Sequence, residues 1–285
     1  MFACSAREVI AVKAEELLRS GQLNEALAAL ESEVRADPAN AKLRVFLFQL
    51  LSVLGDWERA LTQLNTAAEL DAVNLLMAQV CRSALNCEAL RSQIFAGKRS
   101  PLIFGKPDDW VGLLVQANRL IAEGKYEASQ ELRERAFEAA PPVAGTIDGE
   151  PFEWIADADT RFGPVLEAIV DGKYYWIPFT AIKRVRIEPP TDLRDAVWIP
   201  AHLTWINEGE VPGLIPTRYP GSECSEDGTV CMARKTEWIE KPGEVYLGLG
   251  QRMFATDKGE FSLLQIRQIE LNHNEVEQQG GTDNG

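Results

Sequence analysis

Residues 189–205, PPTDLRDAVWIPAHLTW, place Asp192, Arg194, Asp195 and His202 beside Trp198 and Trp205. A histidine oriented by a carboxylate is the minimum of a general base, because imidazole exchanges its proton near neutral pH. His202 is one of two histidines in the chain, and Asp192, Asp195 or Glu237 are the carboxylates available to orient it. No G-x-S-x-G turn or other activated nucleophile accompanies it. A hydrogen-bonded structural histidine between tryptophans is therefore the plainer reading. Asp157 and Asp159 in DADTRFGP form a second carboxylate pair, followed by Arg161. They suit acid–base work or, more simply, a loop network in which the arginine holds an aspartate. Cys224 and Cys231 with His202 supply three potential metal ligands, but C-x6-C is not the usual zinc spacing and a fourth ligand is missing. GLGQRM (248–253) lacks the third glycine of a dinucleotide fingerprint, and no phosphate-binding loop motif occurs. No cofactor or metal is expected. The stretch 189–205 is thus either a small-substrate site built on His202 or a surface that another protein recognises.

The elements that position these residues follow from the whole chain. Its 285 residues, 46% hydrophobic and 25% charged, allow two globular domains. Apolar runs fall short of the roughly 20 residues of a membrane span, and the N-terminus lacks a secretory apolar core. Five cysteines make an odd, sparse set that suits reduced thiols. These features predict a soluble, cytoplasmic protein. Residues 1–142 hold 16 Lys+Arg against 19 Asp+Glu, and 143–285 hold 13 against 24, within a net charge of -14. Such a body repels nucleic acid and anionic membranes, so neither is an expected partner.

An internal repeat organises the first half. SGQLNEALAALESEVRADP (20–38) superposes on LGDWERALTQLNTAAELDA (54–72) at an offset of 34, matching Gly21 to Gly55 and Ala26 to Ala60. That is the period of a tetratricopeptide helix pair. Glycine ends the first helix in a left-handed conformation, and the small alanine lets the two helices approach. A third copy at 123–141 keeps Gly124, with Ser129 where the alanine belongs, and 73–97 leaves room for one degenerate pair. Ser5 with Glu8 forms a capping box for the first helix. The stack predicts an αα-superhelix over 1–142 whose groove takes a peptide or helix, or which only supports the second half. Leu102, Ile103 and Phe104, in the loop that breaks the array, are expected to pack.

From residue 143 the period changes to two. VLEAIV-DG-KYYWIPF is a hairpin signal, because both positions of a type I′ turn need positive φ. In AVWIPAHLTWI, Val197, Ile199, Ala201, Leu203 and Trp205 share one face, and Trp198, His202 and Thr204 the other. Further candidate strands lie in TIDGEPFEWI, RVRIE, GLIPT, MARKTEWI, VYLGLGQRMF and EFSLLQIRQIEL. Prolines 178, 200 and 216 favour edges or bulges. The prediction is an α+β chain: a TPR-like αα-superhelix (1–142), a β-rich domain forming a small, bent antiparallel sheet or partial barrel (143–273), and a polar, disordered tail (274–285).

DADTRFGPVLEAIVDGKYYWIPF, RIEPPTDLRDAVWIPAHLTW, GLIPTRYPGSE, ARKTEWIE and GLGQRMFATDKGE closely resemble the ImpE/SciE/TagJ family of type VI secretion accessory proteins, over essentially the entire chain. The resemblance implies a non-enzymatic adaptor. Its partner would be the small subunit of the contractile sheath, through that subunit's N-terminal helix, and it would associate with the ClpV-type AAA+ ATPase that dismantles contracted sheath. The candidate partner-binding residues are Asp157, Asp159, Arg161, Asp192, Arg194, Asp195, Trp198, His202, Arg218, Tyr219, Arg234, Glu237 and Trp238. The partner helix is expected in the groove of the helical repeats or, if basic, against the acidic β domain.

Overall fold

The structure, a computed structural model, describes residues 14–106 and 108–273. Cys4, the Ser5–Glu8 capping box and the tail from 274 lie outside the described residues. The first half is built from helices: α1 (14–19), α2 (Leu23–Ala36), α3 (Ala41–Val53), α4 (Trp57–Leu70), α5 (Leu75–Phe95), α6 (Asp109–Ala122) and α7 (Tyr126–Ala139). The repeat reading places the hairpins correctly. Gly21, Gly55 and Gly124 turn between paired helices at φ of 78°, 73° and 73°, and Ala26, Ala60 and Ser129 are fully buried where the helices meet. Asn40 caps α3 by accepting from the amides of Lys42 and Leu43, and Asp56 caps α4 by accepting from Arg59 N–H.

The degenerate pair expected in 73–97 is instead one continuous helix, the 21-residue α5. LLMAQVCRSALNCEALRSQIF holds no glycine or proline to break it, so nothing in the chain nucleates a hairpin there. Its buried Cys81, Glu88 and Arg91 meet Arg194, Trp198 and Glu167 of the second half.

That half contains β1 (Leu102–Ile103), donated by the loop after α5, then β2 (Gly145–Ile147), β3 (Glu150–Phe152), β4 (Ile155–Asp157), β5 (Val165–Val170), β6 (Lys173–Pro178), β7 (Ile182–Ile187), β8 (Trp198–Trp205) and β9 (Glu210–Pro216). It continues with a helical turn α8 (Gly228–Cys231), then β10 (Thr236–Lys241), β11 (Val245–Gly250), β12 (Met253–Thr256), β13 (Gly259–Ser262) and β14 (Gln268–Leu271). The main sheet has nine strands in the order β1-β6-β5-β9-β8-β7-β14-β2-β3, larger than expected, with β10-β11 and β13-β12-β4 as separate ribbons. Asp171 and Gly172, at φ of 49° and 71°, turn β5 into β6 as the hairpin signal predicts.

The segment 232–235 is not strand: Met232–Lys235 leave α8 and turn into β10. VYLGLGQRMF divides at Gln251–Arg252 into β11 and β12, and EFSLLQIRQIEL divides into β13 and β14. Pro200 departs from the edge expectation, since β8 pairs with both β7 and β9. It sits just beyond the last β7–β8 pair, Ile187 with Ala201, so its missing N–H costs the ladder little, and its carbonyl accepts from Glu188 N–H.

Both faces of the sheet's centre are covered. Ile199, Ala201, Leu203 and Trp205 join Leu166, Ile177, Ile147, Phe152 and Phe254 in one cluster, so strands from opposite ends of the sheet curl around a common core. Val197, grouped with that face from sequence, precedes β8 and packs with Trp198 in the other cluster. This second cluster runs without interruption from Leu30, Phe48 and Leu85 to Phe162, Trp176 and Tyr219. Phe104 stacks on Trp205 at 4.0 Å between centroids, and β1 runs parallel to β6. The helical first half ends with α7 at Ala139, while the core continues from it into the strands.

Candidate functional site

Residues 189–205 divide their labour. Asp192 and Asp195 form a reciprocal cap on the 3-10 turn Leu193–Ala196, where the buried Asp195 carboxylate accepts from Thr191 N–H at 2.7 Å and Asp192 N–H at 2.8 Å. Arg194 lies across this turn, 3.0 Å from Asp192 and 3.7 Å from Asp195. Trp198 is buried against α5 and Trp57, its indole N–H donating to Glu88 at 2.8 Å. His202 remains accessible, and its neighbouring carboxylate is Glu188 at 3.7 Å. The three expected orienters are committed elsewhere: Asp192 to Arg194, Asp195 to the turn, and Glu237 to Lys235 at 2.7 Å on β10. Cys81 is the nearby thiol, but burial pushes its pKa up despite Arg194, which disfavours the nucleophilic thiolate.

Between the start of α5 and strands β5, β8 and β9 these residues border a groove of about 760 Å³, walled by Leu76, Met77, Val80, Trp198, His202 and Leu214. On its α5 wall Leu76 and Val80 are exposed, Leu76 at 75%, and Leu70, Val73 and Leu75, at or just before the start of α5, are exposed as well. Arg194 and His202 are the polar members of the wall that the sequence singled out. The arrangement is suited to receiving an apolar face edged by polar groups.

Behind the groove lies a chain of buried charge joining the two halves. Glu167, inside the apolar run VLEAIV, takes a bidentate contact from Arg91 of α5 at 2.8 and 2.9 Å and further hydrogen bonds from Tyr174 and Arg252. Arg252 also bridges to Asp157, which accepts from Tyr219 OH at 3.0 Å. Arg161 grips Asp159 through Nη2 at 2.5 Å and Nε at 2.9 Å, and Gly248 N–H donates to the same carboxylate at 2.7 Å. Arg218 donates to the carbonyls of Ser52, Val53 and Cys231, capping α3 from across the interface. Rings enclose the cations: Arg252 lies 4.8 Å from the Phe162 centroid and 5.2 Å from Tyr219.

The two key carboxylates titrate in opposite directions. Burial, resisted by Arg252, pushes Asp157 up to about 7. Burial acts on Glu167 too, but Arg91 and Arg252 prevail and hold it at about 2.

The structure buries Asp157, Asp159, Arg161, Asp195, Trp198, Arg218 and Tyr219, and of these Trp198 also walls the groove. Arg194 and His202 reach the groove, with Asp192 beside Arg194. Arg234 donates to the carbonyls of Leu18 and Arg19, while Glu237 and Trp238 lie on the exposed ribbon β10. Sequence reasoning missed Glu88, Arg91, Glu167 and Arg252, although a glutamate inside VLEAIV was a visible signal of a buried ion pair. It also missed Leu76 and Val80, apolar residues on a helix too weakly amphipathic to show which face is covered. Cys231 packs inward with its thiol 3.3 Å from the Ser225 carbonyl, whereas Cys224 is exposed. Among the described residues no three His, Cys, Asp or Glu side chains are grouped to hold a metal, and no helix is long and apolar enough to cross a membrane.

Comparison with known proteins fits this geometry. Residues 149–270 match the family model described as ImpE protein, and residues 17–81 match a tetratricopeptide repeat model. The chain is 50% identical over 262 residues to the type VI secretion system accessory component TagJ of Pseudomonas aeruginosa, covering 92% of each. An X-ray structure of a Vibrio parahaemolyticus protein, 26% identical, superposes with a TM-score of 0.84 over 92% of this chain and 98% of that one.

Proposed function

The chain belongs to the ImpE family of type VI secretion accessory proteins, and from that premise we propose that it is a non-enzymatic, cytoplasmic adaptor of the contractile sheath. It binds the N-terminal helix of the small sheath subunit and brings a ClpV-type ATPase to the sheath for disassembly. The observation that carries this reading is the groove between α5 and β8–β9, whose α5 wall leaves Leu76 and Val80 in water. An amphipathic helix presenting apolar residues at i, i+3, i+4 and i+7 covers such a wall, while its polar face stays solvated. His202, Arg194 and Asp192 border the seat and select polar residues at the edge of the helix.

The test is titration of a fluorescent peptide, carrying the N-terminal helix of the cognate small sheath subunit, into the full chain. Saturable binding is expected. Burying a leucine or valine contributes about 1.5–3 kcal/mol, so Leu76→Asp and Val80→Asp should each weaken binding by about ten- to a hundredfold. The folded protein failing to bind the peptide, or binding it unchanged in both variants, would remove the groove from the mechanism.

A further inference from the structure

The strand edges of this molecule are treated unequally. The main sheet ends in β1, only two residues long, and in β3, three residues with Pro151 at its centre. In the three-stranded ribbon, β4 is three residues and β13 four. Short strands and prolines are how proteins prevent edge pairing. β10 has neither protection. Among the described residues its six, TEWIEK, pair only with β11, and Trp238 and Ile239 at its centre are each 37% exposed.

This edge is held in place. At the turn Arg133 donates to the carbonyls of Gly243 and Glu244; at the base Thr236 Oγ1 donates to the Gln251 carbonyl, and Gln251 Nε2 to the Ala233 carbonyl. The direction of its free groups follows from β11. Tyr246 N–H donates to Thr160 Oγ1 and Gly248 N–H to Asp159, both away from β10. Their cross-strand partners Glu240 and Trp238 are therefore the non-hydrogen-bonded positions, whose own N–H and C=O groups point to the open edge.

We propose that β10 is a self-association edge, on which a second copy of this chain pairs antiparallel about Ile239 to make a four-stranded sheet β11-β10-β10-β11 across a two-fold axis. Antiparallel self-pairing joins residues of the same hydrogen-bonding type, so the axis passes through a residue position. Centred on Ile239, the pairing places Ile239 on its symmetry mate and Glu237 opposite Lys241 twice. Trp238 faces Glu240 in the two hydrogen-bonded pairs, four backbone bonds in all by the geometry of such pairs. Centred on Trp238 it would set Lys235 against Lys241, and centred on Glu240 it would oppose two carboxylates. Charge selects the first register. It also extends an existing row, since Lys235 already bridges Asp227 at 2.6 Å and Glu237 at 2.7 Å, so that the partner's lysine continues the alternation of sign. This edge is separate from the proposed helix groove, and neither reading depends on the other.

Sedimentation of the full-length protein over a concentration series is the experiment, with Glu237→Lys, Lys241→Glu and the double exchange. The wild type should pass from monomer to dimer, and each single reversal, which sets like charges opposite each other twice, should weaken the dimer by about tenfold or more. The double exchange should restore it. Hydrogen exchange adds a positional readout: on dimerisation the Trp238 and Glu240 amides should slow, whereas those of Glu237 and Ile239, which already face β11, should not. A chain that stays monomeric throughout would overturn the proposal and leave the edge to a strand of another protein. Dimerisation insensitive to the reversals, or not restored by the double exchange, would overturn it as well.

Discussion

Replacing Arg252 by methionine tests whether buried charge joins the two halves. Arg252 is fully buried and contacts Asp157, Glu167, the Pro216 carbonyl and the rings of Phe162 and Tyr219. Methionine keeps much of the volume and removes the charge. Taking one partner from a buried pair costs about 3–5 kcal/mol, because the other charge is stranded. Here the lower end, about 3 kcal/mol, applies, since Glu167 retains Arg91 and Asp157 already protonates near neutrality. That is a large share of the roughly 5–15 kcal/mol that holds a domain folded.

The assay is urea unfolding at pH 7, followed by far-UV circular dichroism and tryptophan fluorescence, with a lower midpoint and an unchanged slope expected. Adding Asp157→Asn to Arg252→Met should recover about 1–2 kcal/mol, because the amide still accepts from Tyr219 OH and strands no charge. A loss below about 1 kcal/mol would show the network to be incidental. A double variant no more stable than the single one would trace the cost to lost packing between the rings.

Asp157→Asn by itself should alter the pH dependence of folding. The Asp157 carboxyl is raised to about 7 in the folded chain, so its contribution is fully present below about pH 4 and lost as pH rises to about 7. The variant should gain on the wild type across that window, by at most on the order of 4 kcal/mol, as read from urea midpoints between pH 4 and 8; parallel profiles would refute the assignment. In Gly248→Ala the new Cβ would lie 2.2 Å from the Tyr219 ring, so a cost of about 1–3 kcal/mol in thermal unfolding is expected. Finally, fragments 1–142 and 143–285 expressed separately should each lack a cooperative melt, because the core of α5 and the sheet is cut between them. A cooperative transition in either fragment would show the halves to be independent.

Local signals in this chain were strong wherever one element sufficed to express them. The glycine and alanine of each helical hairpin, the Asp-Gly turn and the alternation along β8 declare themselves because backbone conformation and face periodicity are properties of a few consecutive residues. The long motifs of the β half likewise carried the family. What sequence distance hides is which faces meet. VLEAIV reads as a buried strand, but that its Glu167 meets an arginine 76 positions earlier is a fact of packing. The same holds for Trp198, whose partner Glu88 lies on a helix read from sequence as part of a repeat pair. For His202 the sequence offered Asp192, Asp195 or Glu237 as partner, whereas packing brings Glu188 to it.

Composition and periodicity thus determined the α+β division, the hairpins and the acidic character of the second half, since each depends on short-range geometry or on simple counts. Only the tertiary structure decided that α5 stays whole, that the two halves share one core, and that apolar residues of α5 stand uncovered beside β8. Those outcomes depend on desolvation and charge pairing between segments far apart in the chain, and a buried ion pair is stable only where the other charge is brought to meet it.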